Sequence, residues 1–395
     1  IGKYELLSTI NNKGELPKRL KKEYQELFRK FGKVENKEPE GTTVFINRDP
    51  LNANYREFSL KDWKSSFKTY TYSNEKFDGW NQPSEYEHGR KFANVVSQNP
   101  NQFVDFIYQM IEDKEISNTY VVKALEGLKE AKVDVKLAKD IFISAIENRD
   151  FDKENTLYLI WFTNYFSESK QVYPEILNFL KDHLKNGDEG KENYNDALSA
   201  GINSVRGAAA SSLMDYAFSK PTFDFICNSL EVLKDNSRPS TRAAAIYKMQ
   251  YLLQHGKERV LKLFLNLSND YNAGLLKISI NPLQYLVHYK FERLVSFFKE
   301  ALKVKESHKE IGKLITMGYC NDYKDSDILL EQFLANNEPN TIIKTAFEFI
   351  EHNHKIDKAL ILLKRFLSLD SKEIGQIYDR AFFHIKPESF AQLRE

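Results

Sequence analysis

Cysteine is nearly missing from this chain: two residues in 395. Cys227 and Cys320 stand far apart in apolar surroundings, Phe225-Ile-Cys-Asn and Met317-Gly-Tyr-Cys. A zinc site needs four ligands at close spacing and a disulfide framework needs a denser set, so both residues read as buried thiols. Glycine is sparse and scattered, and no G-x-x-x-x-G-K-[ST] loop offers backbone amides to a phosphate. No G-x-S-x-G elbow and no H-E-x-x-H pair occurs. Long apolar runs are missing too: none approaches the roughly 20 residues of a membrane span, and no signal peptide opens the chain. Charge of one sign is not in excess, with 57 Lys and Arg against 56 Asp and Glu. A dedicated nucleic-acid binder carries a basic surplus or stripe, so nucleic acid is disfavoured as a partner. Alternating Val/Ile/Thr runs before Asn-Gly or Asp-Gly turns are also wanting, which removes the usual strand signal. The expectation is a cytoplasmic, all-helical chain with no membrane partner, resident metal or cofactor.

What is present is repetition. Asn203-Ser-Val-Arg-Gly-Ala-Ala-Ala-Ser-Ser-Leu213 has an echo in Pro239-Ser-Thr-Arg-Ala-Ala-Ala-Ile-Tyr-Lys-Met249. Arg206 answers to Arg242, Ala208 to Ala244 and Leu213 to Met249, an offset of 36 residues (242 − 206). Each copy runs from a turn through Arg and a small-residue stretch into large apolar residues. This pattern predicts a helix whose first turn lies against a neighbouring helix, where only Gly or Ala fits. The arginine is expected to reach back to carbonyls or carboxylates of the adjacent turn. Stacked helical pairs carry this signature, because one pair cannot bury its own apolar face. Asn203, Arg206, Gly207 and Arg242 are therefore repeat-packing positions, with the two arginines expected in an inter-repeat hydrogen-bond ladder.

Apolar residues at 20, 24, 27, 28 and 31 predict an amphipathic helix, entered at Pro17 and stopped by Gly32. A polar stretch follows to Asn54, with a short extended piece expected at 42–46. Ser59-Leu-Lys-Asp62 predicts a capping box before the helix of Trp63 and Phe67. Tyr70, Tyr72, Phe77 and Trp80 are expected to close the open end of the helical array. From Glu85 helix follows helix, with Asn118 expected to cap one of them. The second helix of each pair is expected near 118, 155, 203, 239, 273, 309, 340 and 371. The polar segment Asn186-Gly-Asp-Glu-Gly-Lys-Glu-Asn193 falls in the longest step. Such uneven steps suit HEAT-like pairs better than tetratricopeptide or ankyrin repeats. The expected fold is an all-α, HEAT-like solenoid over 85–395 behind an irregular cap or linker over 1–84.

No residue set names a reaction. His352 and His354 sit two apart, off a common helical face, and read as a solvated helix end favoured by the dipole. His88, in Glu85-Tyr-Glu-His-Gly-Arg90, is read as part of a surface salt-bridge cluster. No catalytic, cofactor-binding or metal-ligating residue is assigned.

Glu26-Leu-Phe-Arg-Lys-Phe-Gly32, Ser59-Leu-Lys-Asp-Trp63, Asn99-Pro-Asn-Gln-Phe103 and Tyr120-Val-Val-Lys-Ala-Leu-Glu-Gly-Leu128 stand in an order that resembles the C-terminal region of large bacterial STAND-type NTPases. Ile202-Asn-Ser-Val-Arg-Gly-Ala-Ala-Ala210 is the most specific match, similar to their I-N-S-V-R-G-x-A. Arg242-Ala-Ala-Ala, Lys257-Glu-Arg-Val-Leu-Lys-Leu-Phe-Leu265 and the segment around Ile311-Gly-Lys313 carry it on, over roughly residues 20 to 385. Leu60 stands where that family has Met, and the last repeats match weakly. Many members are antiphage sensors. The resemblance implies that an NTPase module and an effector lie upstream, and that this region senses a protein ligand, a phage protein foremost, or restrains the NTPase. The opening at Ile1 rather than Met fits a piece of a longer chain. The alternatives are a stand-alone HEAT-repeat scaffold and a HEAT-type DNA glycosylase, which needs a basic groove for a flipped base.

Overall fold

A computed structural model describes residues 18–31, 53–70, 85–193, 195–337, 339–352 and 357–366. The chain divides into two compact units, Ile1–Asp49 and Pro50–Glu395. All regular structure among the described residues is helical.

In the first unit the described element is α1, Lys18–Phe31. Arg29 and Lys30 fall in its last turn, where cations complement the helix dipole. The ring of Tyr24 lies 6.1 Å from that of Phe28, one turn on.

The second unit opens with α2, Leu60–Thr69, which starts as the sequence predicts. Ser59 Oγ accepts from Asp62 N at 3.2 Å, and Asp62 Oδ2 accepts from Ser59 N at 2.9 Å. The Ser59 hydroxyl, donating to Asp62 Oδ2 at 2.6 Å, and the Ser59 amide hold the Asp62 carboxyl below its ordinary pKa. Then come α3 (Glu85–Gln98), α4 (Pro100–Glu112), α5 (Asn118–Glu130), α6 (Val135–Asn148) and α7 (Lys153–Phe162). They are followed by α8 (Asn164–Glu168), α9 (Pro174–Asn186), α10 (Ala197–Ile202), α11 (Val205–Met214), α12 (Lys220–Leu230) and α13 (Leu233–Asn236). The remainder is α14 (Pro239–Tyr247), α15 (Leu253–Leu267), α16 (Ala273–Lys290), α17 (Val295–Ala301), α18 (His308–Cys320), α19 (Ser326–Leu334), α20 (Asn340–His352) and α21 (Asp357–Phe366).

Local chemistry sets these starts. Proline occupies the first helical position of α4, α9 and α14, where its missing N–H costs nothing. Asp134, Asp152, Asp196, Ser204 and Asn272 accept from backbone amides at the starts of α6, α7, α10, α11 and α16. Asn118 is not the cap of α5: Ser117 Oγ takes the Thr119 amide at 3.2 Å, and the Asn118 side chain donates to Asp150 O at 2.6 Å. Two oxygen-bearing residues adjoin there, and the one just outside the helix has the cap geometry.

Each of α3, α5, α7, α11, α14, α16 and α18 packs on the next member of that series, and α18 packs on α20. A second series flanks it, with α4 on α6, α9 on α12, α12 on α15 and α17 on α19. The first series starts at 118, 153, 205, 239, 273, 308 and 340 after α3, close to the expected positions. The start expected near 371 lies outside the described residues. The long step from α7 to α11, 52 residues (205 − 153), holds α8 to α10 and the polar segment at 186–193.

His88 requires a correction. It is fully buried, with Nε2 2.9 Å from Ser66 Oγ and its ring among Tyr55, Trp63, Tyr70 and Tyr120. Its charged neighbours suggested a surface, but position 88 shares a helical face with Phe92 one turn later, and that face packs on Trp63 and Phe67. Residues 60–69, grouped by the sequence with the N-terminal cap, are thus tied to α3 and α5. Tyr72, Phe77, Trp80, the 42–46 segment and His354 lie outside the described residues.

Candidate functional site

The most specific sequence segment forms a joint between three helices. Ser204 caps α11, its Oγ taking the Gly207 amide at 3.1 Å and donating to Gly201 O at 2.8 Å. A Cβ on Gly207 would lie 2.2 Å from Gly201 O, and one on Gly201 would lie 2.1 Å from Ser240 O at the start of α14. No side chain fits at either contact. Ala208 to Ala210 and Ala243 to Ala245 are buried beside them. Asn203 is exposed and closes α10 locally, donating to Ser199 O at 2.9 Å.

The two arginines behave differently. Arg206 reaches back, with Nε 2.8 Å from Leu184 O in the last turn of α9 and Nη1 2.9 Å from Glu189 Oε1. Arg242 reaches forward, with Nη1 2.6 Å from Asn269 Oδ1 and Nη2 3.0 Å from Asp270 Oδ2, beyond the end of α15. The expectation that both reach back is corrected by Arg242. A third arginine of this kind had no sequence signal. Arg149, buried at the end of α6, donates through Nε to Ile111 O at 2.9 Å, through Nη1 to Ile116 O at 2.8 Å and Asn118 Oδ1 at 2.9 Å, and through Nη2 to Met110 O at 2.7 Å and to Asp113 O. Unpaired carbonyls at the end of α4 find their donors in one guanidinium. Its offset from Arg206 is not the 36-residue period, and its partners lie more than thirty residues upstream.

The polar 186–193 segment folds into a clasp. Asp188 O accepts from Arg206 N at 3.0 Å, and Glu189 Oε1 accepts from Arg238 N at 3.0 Å as well as from Arg206. Glu192 Oε2 accepts from the amide and hydroxyl of Ser240 at 3.3 and 3.0 Å. Asp188 pairs with Lys153 on α7, which holds its carboxyl below the ordinary pKa. Gly190 takes φ = +69°, a left-handed turn that favours glycine. Two carboxylates, Glu189 and Glu192, thus meet the positive end of α14, while Asp188 ties the segment to the starts of α7 and α11 through its side chain and its carbonyl.

Helices α6, α7 and α9 line an open groove of about 550 Å³. Its apolar floor is Ile143, Ile146, Phe151, Leu159 and Phe179. Glu147, Asp150, Glu175 and Asp182 line it and are exposed. Asp182 accepts from the Asn186 amide at 2.8 Å. Among the described residues the other three carboxylates have neither an ion-pair nor a hydrogen-bond partner. The groove's one guanidinium, Arg149, is spent on backbone carbonyls. His183 stacks edge-on to Phe179 with ring centroids 4.5 Å apart, and burial lowers its pKa, so it is neutral at pH 7. No grouping of three or more His, Cys, Asp or Glu among the described residues is placed to hold a metal ion. The groove is suited to holding a cationic, partly apolar group. No helix among the described residues is long and apolar enough to cross a membrane.

No family model, curated protein or solved structure matches the chain.

Proposed function

We propose that this chain is a recognition scaffold, a HEAT-like stack of helical pairs without catalysis of its own, that binds a protein partner. The observation that carries the reading is the packing of the helices of the first series one on the next, closest where the small residues of α10, α11 and α14 meet. A stack of this kind presents a long shaped surface and transmits strain between neighbours. The unpaired carboxylates over an apolar floor give that surface a specific chemistry. An acidic groove repels a phosphate backbone, which weighs against a DNA glycosylase.

The sequence resemblance extends the proposal: the scaffold senses its partner, a phage protein foremost, for a STAND-type NTPase in a cytoplasmic defence protein. The Asn203–Ala210 segment that carries the resemblance serves the joint of α10, α11 and α14. It therefore speaks to a shared architecture, and the partner has to be found by experiment. The test uses protein from the entire native reading frame. Phage-infected and uninfected lysates are passed over it, captured proteins are identified, and ATP hydrolysis is measured with and without each. The proposal expects a protein captured only after infection that raises ATP turnover. Capture without ATP turnover would remove the NTPase and leave a scaffold; absence of any captured protein would contradict both.

A further inference from the structure

We infer that the groove between α6, α7 and α9 receives a segment of the partner protein carrying at least two lysine or arginine side chains. The inference rests on the recognition-scaffold reading and assigns the chemistry of what is recognised. Charge complementarity carries it. Four carboxylates line the groove against one guanidinium, and that guanidinium already serves the carbonyls of α4. His183 adds no charge at neutral pH. The nearby ammonium of Lys153 is paired with Asp188. Lys139, paired with Asp140 at 2.8 Å, shares its field with Glu175, so Glu147 and Asp150 carry the charge left most fully for an outside cation.

The floor and the spacing choose among cations. A hydrated metal ion gains nothing from Ile143, Ile146, Leu159 and Phe179, whereas lysine and arginine lay an aliphatic stem on such a surface and leave the charged head at the rim. Glu175 and Asp182 are seven residues apart on α9, two turns on one face, which places their backbones about 10 Å apart at 1.5 Å per residue. One cationic head cannot meet both. A segment with two basic residues on one face can, at i and i+4 when extended, about 13 Å apart and within reach of their flexible stems. The volume of about 550 Å³ accommodates this many side-chain groups.

The probe is a fluorescein-labelled nonapeptide of alternating lysine and leucine, with a glutamate-for-lysine version as control and spermine as a small competing amine. Binding is read by fluorescence anisotropy at low and physiological salt. The wild-type chain is expected to bind the lysine peptide, more weakly as salt rises, and to ignore the glutamate peptide. The Glu147→Gln/Glu175→Gln variant is expected to lose at least about tenfold in affinity, because exposed carboxylates facing a bound cation set its off-rate and steering. A Glu112→Gln/Glu130→Gln variant, with the same change of net charge elsewhere, is expected to match wild type. Unchanged affinity in the groove variant overturns the inference. Groove-dependent binding of spermine without the peptide also overturns it, in favour of a free amine. The two readings separate on the partner captured from infected cells: equal capture by wild type and groove variant leaves the scaffold standing and sinks the groove assignment. If neither partner nor peptide binds, both fall.

Discussion

Arg149 concentrates several helix-end carbonyls on one side chain. Lysine keeps the charge but cannot present the planar fork that meets Ile111, Ile116, Met110 and Asp113 together. Arg149→Lys is expected to cost about 3 kcal/mol, the scale of leaving buried carbonyls unpaired beside a displaced charge. Urea denaturation with an unchanged m-value checks this, and a loss under 1 kcal/mol would contradict it. The thiols give a second prediction. Burial pushes Cys227 up to about 11 and Cys320 up to about 12, so neither is a thiolate at pH 8. A thiol reagent is expected to label both only after denaturation. Histidine gives a third. Burial lowers His183 and His288 in the fold, while the unfolded imidazole keeps its ordinary pKa near 6.5. The unfolded state therefore binds more protons in acid, and stability present above pH 6.5 falls as pH drops below it. A His183→Asn/His288→Asn variant should show a shallower decline between pH 6.5 and 5 in thermal melts. At this scale Cys227 and Cys320 were legible from their apolar neighbours. Arg149 and His88 were not, since their partners are set by tertiary contacts that no local spacing encodes.

The joint of α10, α11 and α14 is where element packing is least forgiving. Gly201→Ala puts a methyl 2.1 Å from a backbone carbonyl, which no rotamer can relieve. Overpacking of this kind costs about 1–3 kcal/mol and more where backbone must move. A melt within 2 °C of wild type would argue against the close approach. The clasp is expected to be more tolerant: Glu189→Ala removes the shared acceptor of Arg206 and Arg238 at a half-buried position, an expected loss of about 1–2 kcal/mol. Faster hydrogen exchange should then be seen in the first turn of α14. The helix starts were legible because caps, prolines and alanine runs act within a few residues. The clasp read only as a polar segment because Arg238 and Ser240, which bind its carboxylates, lie almost fifty residues downstream. The groove was hidden for the same reason, as its carboxylates come from α6, the turn after it and α9, and form no motif.

Across the second unit, each helix of the first series touches the one before and the one after, and α11 and α14 also pack heavily on α9 and α10. Such a chain stores its stability in neighbour contacts, so damage at one joint should stay local, whereas a single shared core would fail as a whole. This neighbour-by-neighbour packing is what the proposed recognition scaffold relies on. Hydrogen–deuterium exchange on the Gly201→Ala variant tests it most directly. The account predicts lost protection in α9, α10, α11, α14 and α16, with α3 to α5 and α18 to α20 exchanging as in wild type. Uniform loss of protection from α3 through α20 would contradict it.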